Sequence, residues 1–193
     1  NDFSTNIFLL NPSLFLNIKK TGFGNFSLSY SENNTLPEVN QLTSNFQLTD
    51  YRNFSQGTTY NKPLKNQTTT LNYYIYNDEK RFSINTSVYY VNSKSIFNTS
   101  SNLTSDFNFN SYIQTKGSNS YNFNFSFVNY VRKLKLASKI ETNNSWITSP
   151  ISVNSTEFLN AKSYSNSIKY SGTTYFKSKI NFDFGFSYNY FQS

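Results

Sequence analysis

Large apolar side chains alternate with polar ones over long stretches of this chain, and this alternation constrains the fold more than any other feature. The clearest run sets Ile180, Phe182, Phe184, Phe186, Tyr188 and Tyr190 against Asn181, Asp183, Gly185, Ser187 and Asn189. A second run sets Tyr121, Phe123, Phe125 and Phe127 against Asn122, Asn124, Ser126 and Val128. Successive side chains of a β-strand point to opposite faces, so the pattern predicts strands with one apolar and one mostly polar face.

Eight strands are predicted in this way. They are centred on Leu14–Ile18, Phe26–Tyr30, Leu71–Ile75, Phe82–Tyr90, Tyr121–Phe127, Leu134–Ile140, Tyr164–Tyr170 and Ile180–Tyr190. The clearest runs extend for about ten residues, whereas strands of soluble proteins have about five or six, and about ten tilted residues span a bilayer. Aromatic residues at the ends of the runs fit the interfacial girdles of membrane barrels; they are Tyr30, Tyr90, Tyr121, Trp146 and Tyr190. The sequence therefore predicts an all-β fold, a transmembrane antiparallel β-barrel.

Short turns alternate with long polar segments. Tight turns are predicted near Lys20–Phe23, Asn77–Lys80, Tyr130–Lys133 and Gly172–Lys177, and loops over Glu32–Gln67, Lys94–Ser118 and Asn143–Asn160. Short turns on one side and long loops on the other are typical of outer-membrane barrels, which places the turns in the periplasm and the loops outside the cell.

Composition supports a membrane environment. Charged residues make up 14% of the chain and aromatic residues 19%, yet the mean hydropathy is −0.58. No stretch of about eighteen apolar residues exists, which excludes a transmembrane helix and leaves a barrel as the spanning structure. The net charge of +7 arises from basic residues scattered in pairs, so no nucleic-acid partner is predicted.

The chain offers few residues that could act in catalysis, because it has no His and no Cys. The few carboxylates are scattered without the paired spacing that acid/base catalysis needs. We therefore expect no enzyme, no catalytic residues, no cofactor and no metal site. Basic pairs lie beside the tight turns, at Lys19-Lys20, Lys80-Arg81, Arg132-Lys133 and Lys177 with Lys179. They fit either contact with lipid phosphates or docking of an acidic periplasmic partner.

Several segments resemble the outer-membrane β-barrel family related to TonB-dependent receptors, barrel portion only. The residues that carry the resemblance are Phe8–Leu16, Gly24–Ser31, Leu36-Pro37, Gln41-Leu42, Asp50–Phe54 with Gly57, Asn144–Trp146, Val153-Asn154, Ser163-Tyr164 and Phe182–Phe184. The chain departs from the family pattern twice, because Leu36 stands where the family has Arg and Thr58-Thr59 where it has Asn-Pro.

The resemblance implies a barrel of about 22 strands, plugged by an N-terminal domain and energised from the inner membrane. Residues 1–193 would then be a barrel segment of about eight strands without the plug, an internal piece of a longer polypeptide. The implied location is the outer membrane of a Gram-negative cell. The implied partners are outer-membrane lipid, a surface lipoprotein or other subunits of an outer-membrane complex, and an inner-membrane energy-coupling protein.

The leading functional hypothesis is uptake of a bulky nutrient across the outer membrane. Candidate ligand contacts in the loops are Tyr51, Arg52, Phe54, Phe107, Phe109 and Tyr112, which could instead pack on neighbouring loops. The expected lipid-facing residues are Phe123, Phe125, Phe127, Phe182, Phe184 and Phe186. Two alternatives remain open, a scaffold barrel that transports nothing and a soluble surface adhesin of β-sandwich type.

Overall fold

The computed structural model describes residues 8–58, 62–153, 157–176 and 180–193. Strands account for 73% of the chain and helix for 2%, which confirms the all-β prediction. The strands of the described residues are β1 (Ser13–Lys20), β2 (Gly24–Thr35), β3 (Gln47–Asp50), β4 (Asn53–Gln56), β5 (Leu64–Asn77), β6 (Phe82–Ser93), β7 (Ser95–Leu103), β8 (Asn108–Lys116), β9 (Asn119–Val131), β10 (Leu136–Val153), β11 (Glu157–Thr174) and β12 (Asp183–Gln192). A single helical turn, α1 (Val39–Leu42), lies between β2 and β3.

Eight strands form the main sheet, in the order β1-β2-β5-β6-β9-β10-β11-β12, and every neighbouring pair is antiparallel. Each of them contains one of the eight alternating runs of the sequence. Turns of a few residues connect β1 to β2, β5 to β6 and β9 to β10. These turns lie at one end of the strands, which we call the short-turn end. We call the other end of the strands the loop end.

Within the described residues the main sheet is open, because β1 and β12 each pair on one side only. The structure therefore confirms an antiparallel main sheet, whereas the predicted closed barrel is not formed by the described residues. Both edge strands are exposed along their whole length.

The turn between β1 and β2 depends on glycine. Gly22 and Gly24 have φ of 81° and 88°, in the left-handed region that other residues rarely adopt. At Gly24 a Cβ atom would also collide with the carbonyl oxygen of Tyr74 on the neighbouring strand β5. The close approach of β2 to β5 at this end therefore requires glycine.

Two predicted loops fold into a second sheet of four strands, in the order β3-β4-β8-β7. β3 pairs antiparallel with β4, and β7 with β8, whereas β4 and β8 are parallel and join the two loops. Hydrogen bonds from the Lys94 amide to the Lys65 carbonyl (2.8 Å) and from Ser93 to Ser118 (2.9 Å) attach this loop sheet to the loop end of the main sheet.

The prediction of a loop over Asn143–Asn160 is wrong. β10 and β11 are paired in continuous register from Leu136 with Thr174 to Val153 with Glu157, as a hairpin of two 18-residue strands. Ile147, Ile151 and Leu159 share one face there, but it is the face opposite that of Trp146 and Tyr164, so the apolar alternation changes face along the hairpin. Beyond Thr148, β10 pairs with β11 alone, and strand prolines such as Pro150 are tolerated at such an edge.

Two boundaries also differ from the predictions. Leu134, expected in a strand, lies in a turn over residues 132–135, where Lys135 adopts φ 46° and its amide bonds to the carbonyl of Arg132 at 3.2 Å. The last strand begins at Asp183, so Ile180 and Phe182 precede it. The predicted turn residue Lys177 and the basic residue Lys179 lie outside the described residues, as do Thr59 and Asn154.

Candidate membrane-facing surface and loop sheet

The apolar face of the main sheet is the most extensive candidate site. Directly paired residues on antiparallel strands share a face, and the register brings the alternating apolar residues of all eight strands onto the same one. No second layer covers it, since no Val, Leu, Ile, Phe, Tyr or Trp side chain in the described parts of the chain is buried. Phe186 and Tyr188, for instance, are 65% and 57% exposed. Such an area of exposed rings is far larger than a soluble monomer presents.

Aromatic side chains border this face towards the loop end. The register aligns five aromatic residues in a single line across six strands, with Thr69 of β5 between the first two; they are Tyr30, Tyr90, Tyr121, Trp146 and Tyr164. We call these five the aromatic row. Tyr90 stacks on Tyr121 with ring centroids 4.5 Å apart, and Trp146 lies 5.2 Å from Tyr164. Tyr190, the fifth residue of the predicted girdle, lies one level lower, 6.0 Å from Tyr164.

The chemistry of the face changes abruptly just beyond the aromatic row. Two residues further along each strand, the same face carries Glu32, Gln67, Asn92, Asn119, Thr148 and Lys162. Glu32 is the centre of a network there: Lys65 forms a salt bridge to it at 2.5 Å, and Gln67 donates a hydrogen bond to it at 3.0 Å. The Tyr30 hydroxyl donates to the same carboxylate at 3.3 Å, which ties the aromatic row to the polar level.

These contacts lower the pKa of Glu32 from 4.5 to about 2. The hydrogen bond from Lys65 contributes most, followed by those from Gln67 and Asn34. All of them favour the ionised carboxylate. Glu32 is therefore charged at neutral pH, beside tyrosines and directly next to an apolar surface.

The length of the apolar segment can be read strand by strand. From the aromatic row to the short-turn end there are nine residues in β6 (Phe82–Tyr90) and eleven in β9 (Tyr121–Val131). Strands of about 9–11 tilted residues cross a bilayer.

A few polar side chains interrupt the apolar face, and they bond to one another. Asn166 donates to the side-chain oxygen of Asn144 at 2.5 Å, and the Tyr164 hydroxyl donates to the same oxygen at 3.3 Å. Asn144 in turn donates to the hydroxyl of Thr142 at 3.2 Å. Mutual hydrogen bonds reduce the cost of placing amides and hydroxyls where water is absent.

The opposite face is polar. Its central rows consist mostly of Ser, Thr and Asn, and cross-strand bonds such as Asn124 to Ser87 at 3.2 Å connect them. Lys139 and Glu141 form a salt bridge at 2.8 Å on this face, and Asp183 lies on it as well, where its charge can remain hydrated. The two faces of the sheet thus require different surroundings.

The expected lipid-facing residues fall on the apolar face, with one difference. Phe123, Phe125 and Phe127 occupy it on β9, and Phe184 and Phe186 on β12. Phe182 precedes β12, but its backbone exchanges bonds with Thr174 and so continues the register by one position. Phe184 covers Gly172 on β11, where a Cβ atom would lie 2.5 Å from its ring.

The loop sheet brings together half of the predicted loop contacts. Phe54 stacks on Phe109 at 5.3 Å and lies edge-on to Phe107 at 5.6 Å. Phe46, which the sequence did not single out, packs edge-on against Phe109 at 5.7 Å. We call these four the loop cluster. Its members come from both loops, so these rings pack loop on loop, as one of the two sequence-based readings expected.

The other three predicted residues lie apart from the loop cluster. Tyr51 is 80% exposed, and the Arg52 guanidinium lies 5.3 Å from the centre of its ring. The carbonyl of Arg52 accepts a hydrogen bond from the Asn108 amide at 2.8 Å, which helps to hold β4 against β8. Tyr112 lies on β8 opposite Thr99 of β7. Among the three, Tyr51 with Arg52 presents the more accessible pair for a ligand.

Sequence reasoning missed Phe46, the Glu32 network and the strands of both loops. The alternation of Phe107, Phe109 and Ser111 with Asn108 and Asn110 is the signal that could have revealed β8. Nothing comparable marks Glu32, because its partners Lys65 and Gln67 come from a strand more than thirty residues away.

No helix in the described residues is both long and apolar enough to cross a membrane. Comparison with protein-family models finds no match, and comparisons with curated proteins and with solved structures find none either.

Proposed function

We propose that this chain forms part of the wall of an outer-membrane β-barrel in a Gram-negative cell, and that the barrel admits a bulky nutrient. The apolar face meets the hydrocarbon of the bilayer, and the polar face lines the lumen. The loops act outside the cell, and the turns lie in the periplasm. The resemblance of the sequence to barrels of TonB-dependent receptors supports the transport role.

One observation carries the membrane assignment: an uncovered apolar face that ends at an aromatic row and turns polar within two residues. A soluble β-sandwich would place a second sheet on that face. The only other sheet in the described residues attaches to the loop end, and it leaves the rings exposed.

The open edges support a barrel larger than eight strands. In hydrocarbon, every unpaired backbone amide and carbonyl costs several kcal/mol, so the free sides of β1 and β12 need partners. Additional strands between these two edges would close the ring. This requirement is compatible with the ring of about 22 strands that the resemblance implies.

The position of Trp146 tests the membrane assignment. Trp146 is the only tryptophan of the chain and belongs to the aromatic row, so its fluorescence reports one depth. In vesicles of brominated lipids, we expect strong quenching by bromine near the headgroup and weak quenching by bromine at the chain end. A folded protein that stays monodisperse in plain buffer, with unquenched Trp146, would instead support the adhesin and refute the proposal.

A second experiment separates transport from scaffolding. Cells that lack the protein, and cells that carry a shortened loop sheet, should lose uptake of the nutrient while other outer-membrane proteins assemble normally. Isolation of the assembled protein from membranes should recover a surface lipoprotein or an energy-coupling partner if it is a receptor of this kind. Unchanged uptake together with loss of a membrane complex would assign the scaffold role.

A further inference from the structure

Unpaired positive charge accumulates at the short-turn end of the main sheet. Seven cationic residues lie in or beside the three fully described turns; they are Lys19, Lys20, Lys80, Arg81, Arg132, Lys133 and Lys135. We call them the basic rim. Only Asp78 and Glu79 carry negative charge in the same turns. Within the described residues, salt bridges occur at Lys65 and Lys139, and neither belongs to the basic rim.

Hydrogen bonds join the neighbouring turns, so the basic rim has a defined geometry. The Arg132 guanidinium donates to the carbonyl of Glu79 at 2.9 Å, which connects the turn after β9 to the turn after β5. The amide of Tyr130 donates to the carbonyl of Arg81 at 3.0 Å between the same two segments. Tyr175, beyond β11, donates to the carbonyl of Lys135 at 2.7 Å. These bonds hold the turn after β5, the turn after β9 and the end of β11 side by side, and the Tyr73 hydroxyl donates to the carbonyl of Phe23 at 2.8 Å, which attaches the turn after β1 to β5.

Exposed apolar side chains lie among the cations. Phe23 is 67% exposed and Leu134 61% exposed, each in a turn that carries basic residues. Lys20 lies 4.7 Å from the centre of the Phe23 ring. Apolar groups mixed with Lys and Arg are typical of surfaces at the boundary between hydrocarbon and headgroups.

We propose that the basic rim binds the phosphate groups of anionic glycerophospholipids in the inner leaflet of the membrane. This inference rests on the proposed function and assigns a specific lipid chemistry to one end of the sheet. The cations begin where the apolar segment of the strands ends, which is the depth of the headgroups in a spanning sheet. Lysine and arginine both bind phosphate, and arginine does so with two parallel hydrogen bonds.

The distribution of charge favours lipid over an acidic protein. A docked protein would need a compact patch, whereas the cations here occur in every fully described turn across the width of the sheet. A membrane surface runs along the whole of that line. The exposed Phe23 and Leu134 find an apolar environment at the lipid boundary, which an acidic protein surface would not provide.

Neutralising one cation per turn tests the proposal. The rim variant carries Lys20→Gln, Lys80→Gln and Lys133→Gln, all exposed positions. A matched control carries Lys94→Gln, Lys116→Gln and Lys162→Gln, which are exposed at the loop end and remove the same charge. The assembled protein is mixed with phosphatidylglycerol and phosphatidylcholine in detergent, and the lipid that stays bound is measured by native mass spectrometry.

We expect the wild type and the control to retain phosphatidylglycerol preferentially. The rim variant should lose that preference by roughly fivefold per removed charge at low salt. Added salt should weaken the preference in all three proteins, because exposed charges are screened. An equal loss in both variants would mean that net charge alone is responsible, and an unchanged rim variant would overturn the proposal.

Two further outcomes keep this inference separate from the membrane assignment. If Trp146 is quenched at headgroup depth but the rim variant keeps its lipid preference, only the basic rim proposal fails. If Trp146 is not quenched at all, the membrane assignment fails first. Binding of acidic polypeptides to the rim, without any preference among lipids, would assign the rim to a periplasmic protein.

Discussion

Placing an arginine at the middle of β9 tests the orientation of the sheet most directly. Phe125 lies on the apolar face, four residues from Tyr121 and six from Val131. With a rise of about 3.3 Å per residue and a tilt of about 40°, it lies about 10 Å below the aromatic row, near the centre of an apolar band about 25 Å tall. An arginine at this depth should cost about 2–4 kcal/mol of unfolding free energy.

The neighbouring residue supplies the control. Ser126 points to the polar face and pairs directly with Glu141 of β10, so Ser126→Arg should cost little. Phe125→Ala removes the ring without adding charge, and the difference between Phe125→Arg and Phe125→Ala isolates the charge effect. Urea titrations in vesicles, followed by Trp146 fluorescence, measure all three variants of the assembled protein. Equal costs for Phe125→Arg and Ser126→Arg would refute the assignment of the two faces. The same substitution at Phe184, close to the short-turn end, should cost less.

Three further predictions concern Glu32 beside the aromatic row, the packing of Phe184 on Gly172, and the loop cluster. The lowered pKa of Glu32 means that its contribution to stability is complete above about pH 4.5 and is lost as the pH falls towards 2; Glu32→Gln should abolish that part of the pH dependence in urea titrations. Gly172→Ala should displace the ring of Phe184 and lower the free energy of unfolding by about 1 kcal/mol. If the ring is the cause, Gly172→Ala should lower it by much less in a protein that already carries Phe184→Ala. Phe109→Ala should separate the two loops, so that limited proteolysis cuts them faster. The free energy of unfolding of the main sheet should stay unchanged. Equal cleavage rates in the variant and the wild type would show that the loop cluster does not hold the loops together.

The main sheet was predictable because its two faces differ. All eight runs of alternating residues became strands, and the turns at Lys20–Phe23 and Asn77–Lys80 lie where the sequence placed them. Phe123, Phe125 and Phe127 needed only the period of two to be assigned to one face. The line of Tyr90, Tyr121 and Trp146 was anticipated as a girdle, although its alignment required the register.

The loops were less predictable, because their strands pair with distant segments or their apolar residues change face along the strand. In the upper half of the β10–β11 hairpin, the apolar residues Ile147, Ile151 and Leu159 lie on the face opposite that of Trp146, so a single alternating pattern does not run through the strands. The parallel pairing of Phe54 with Phe109 depends on contact between two distant segments, which no local pattern encodes. Glu32 has the same property, because its partners Lys65 and Gln67 belong to another strand.

The parallel pairing of β4 with β8 has a consequence for the order of assembly. The hydrogen bond between Asn53 and Asn108 joins residues 55 positions apart, and β5, β6 and β7 lie between them along the chain. Such non-local pairing forms slowly, because chain entropy is lost before the contact is gained. Both segments must also cross the bilayer while still unpaired if they are to act outside the cell. In the proposed orientation, we therefore expect the loop sheet to fold last, after the hairpins beneath it have inserted.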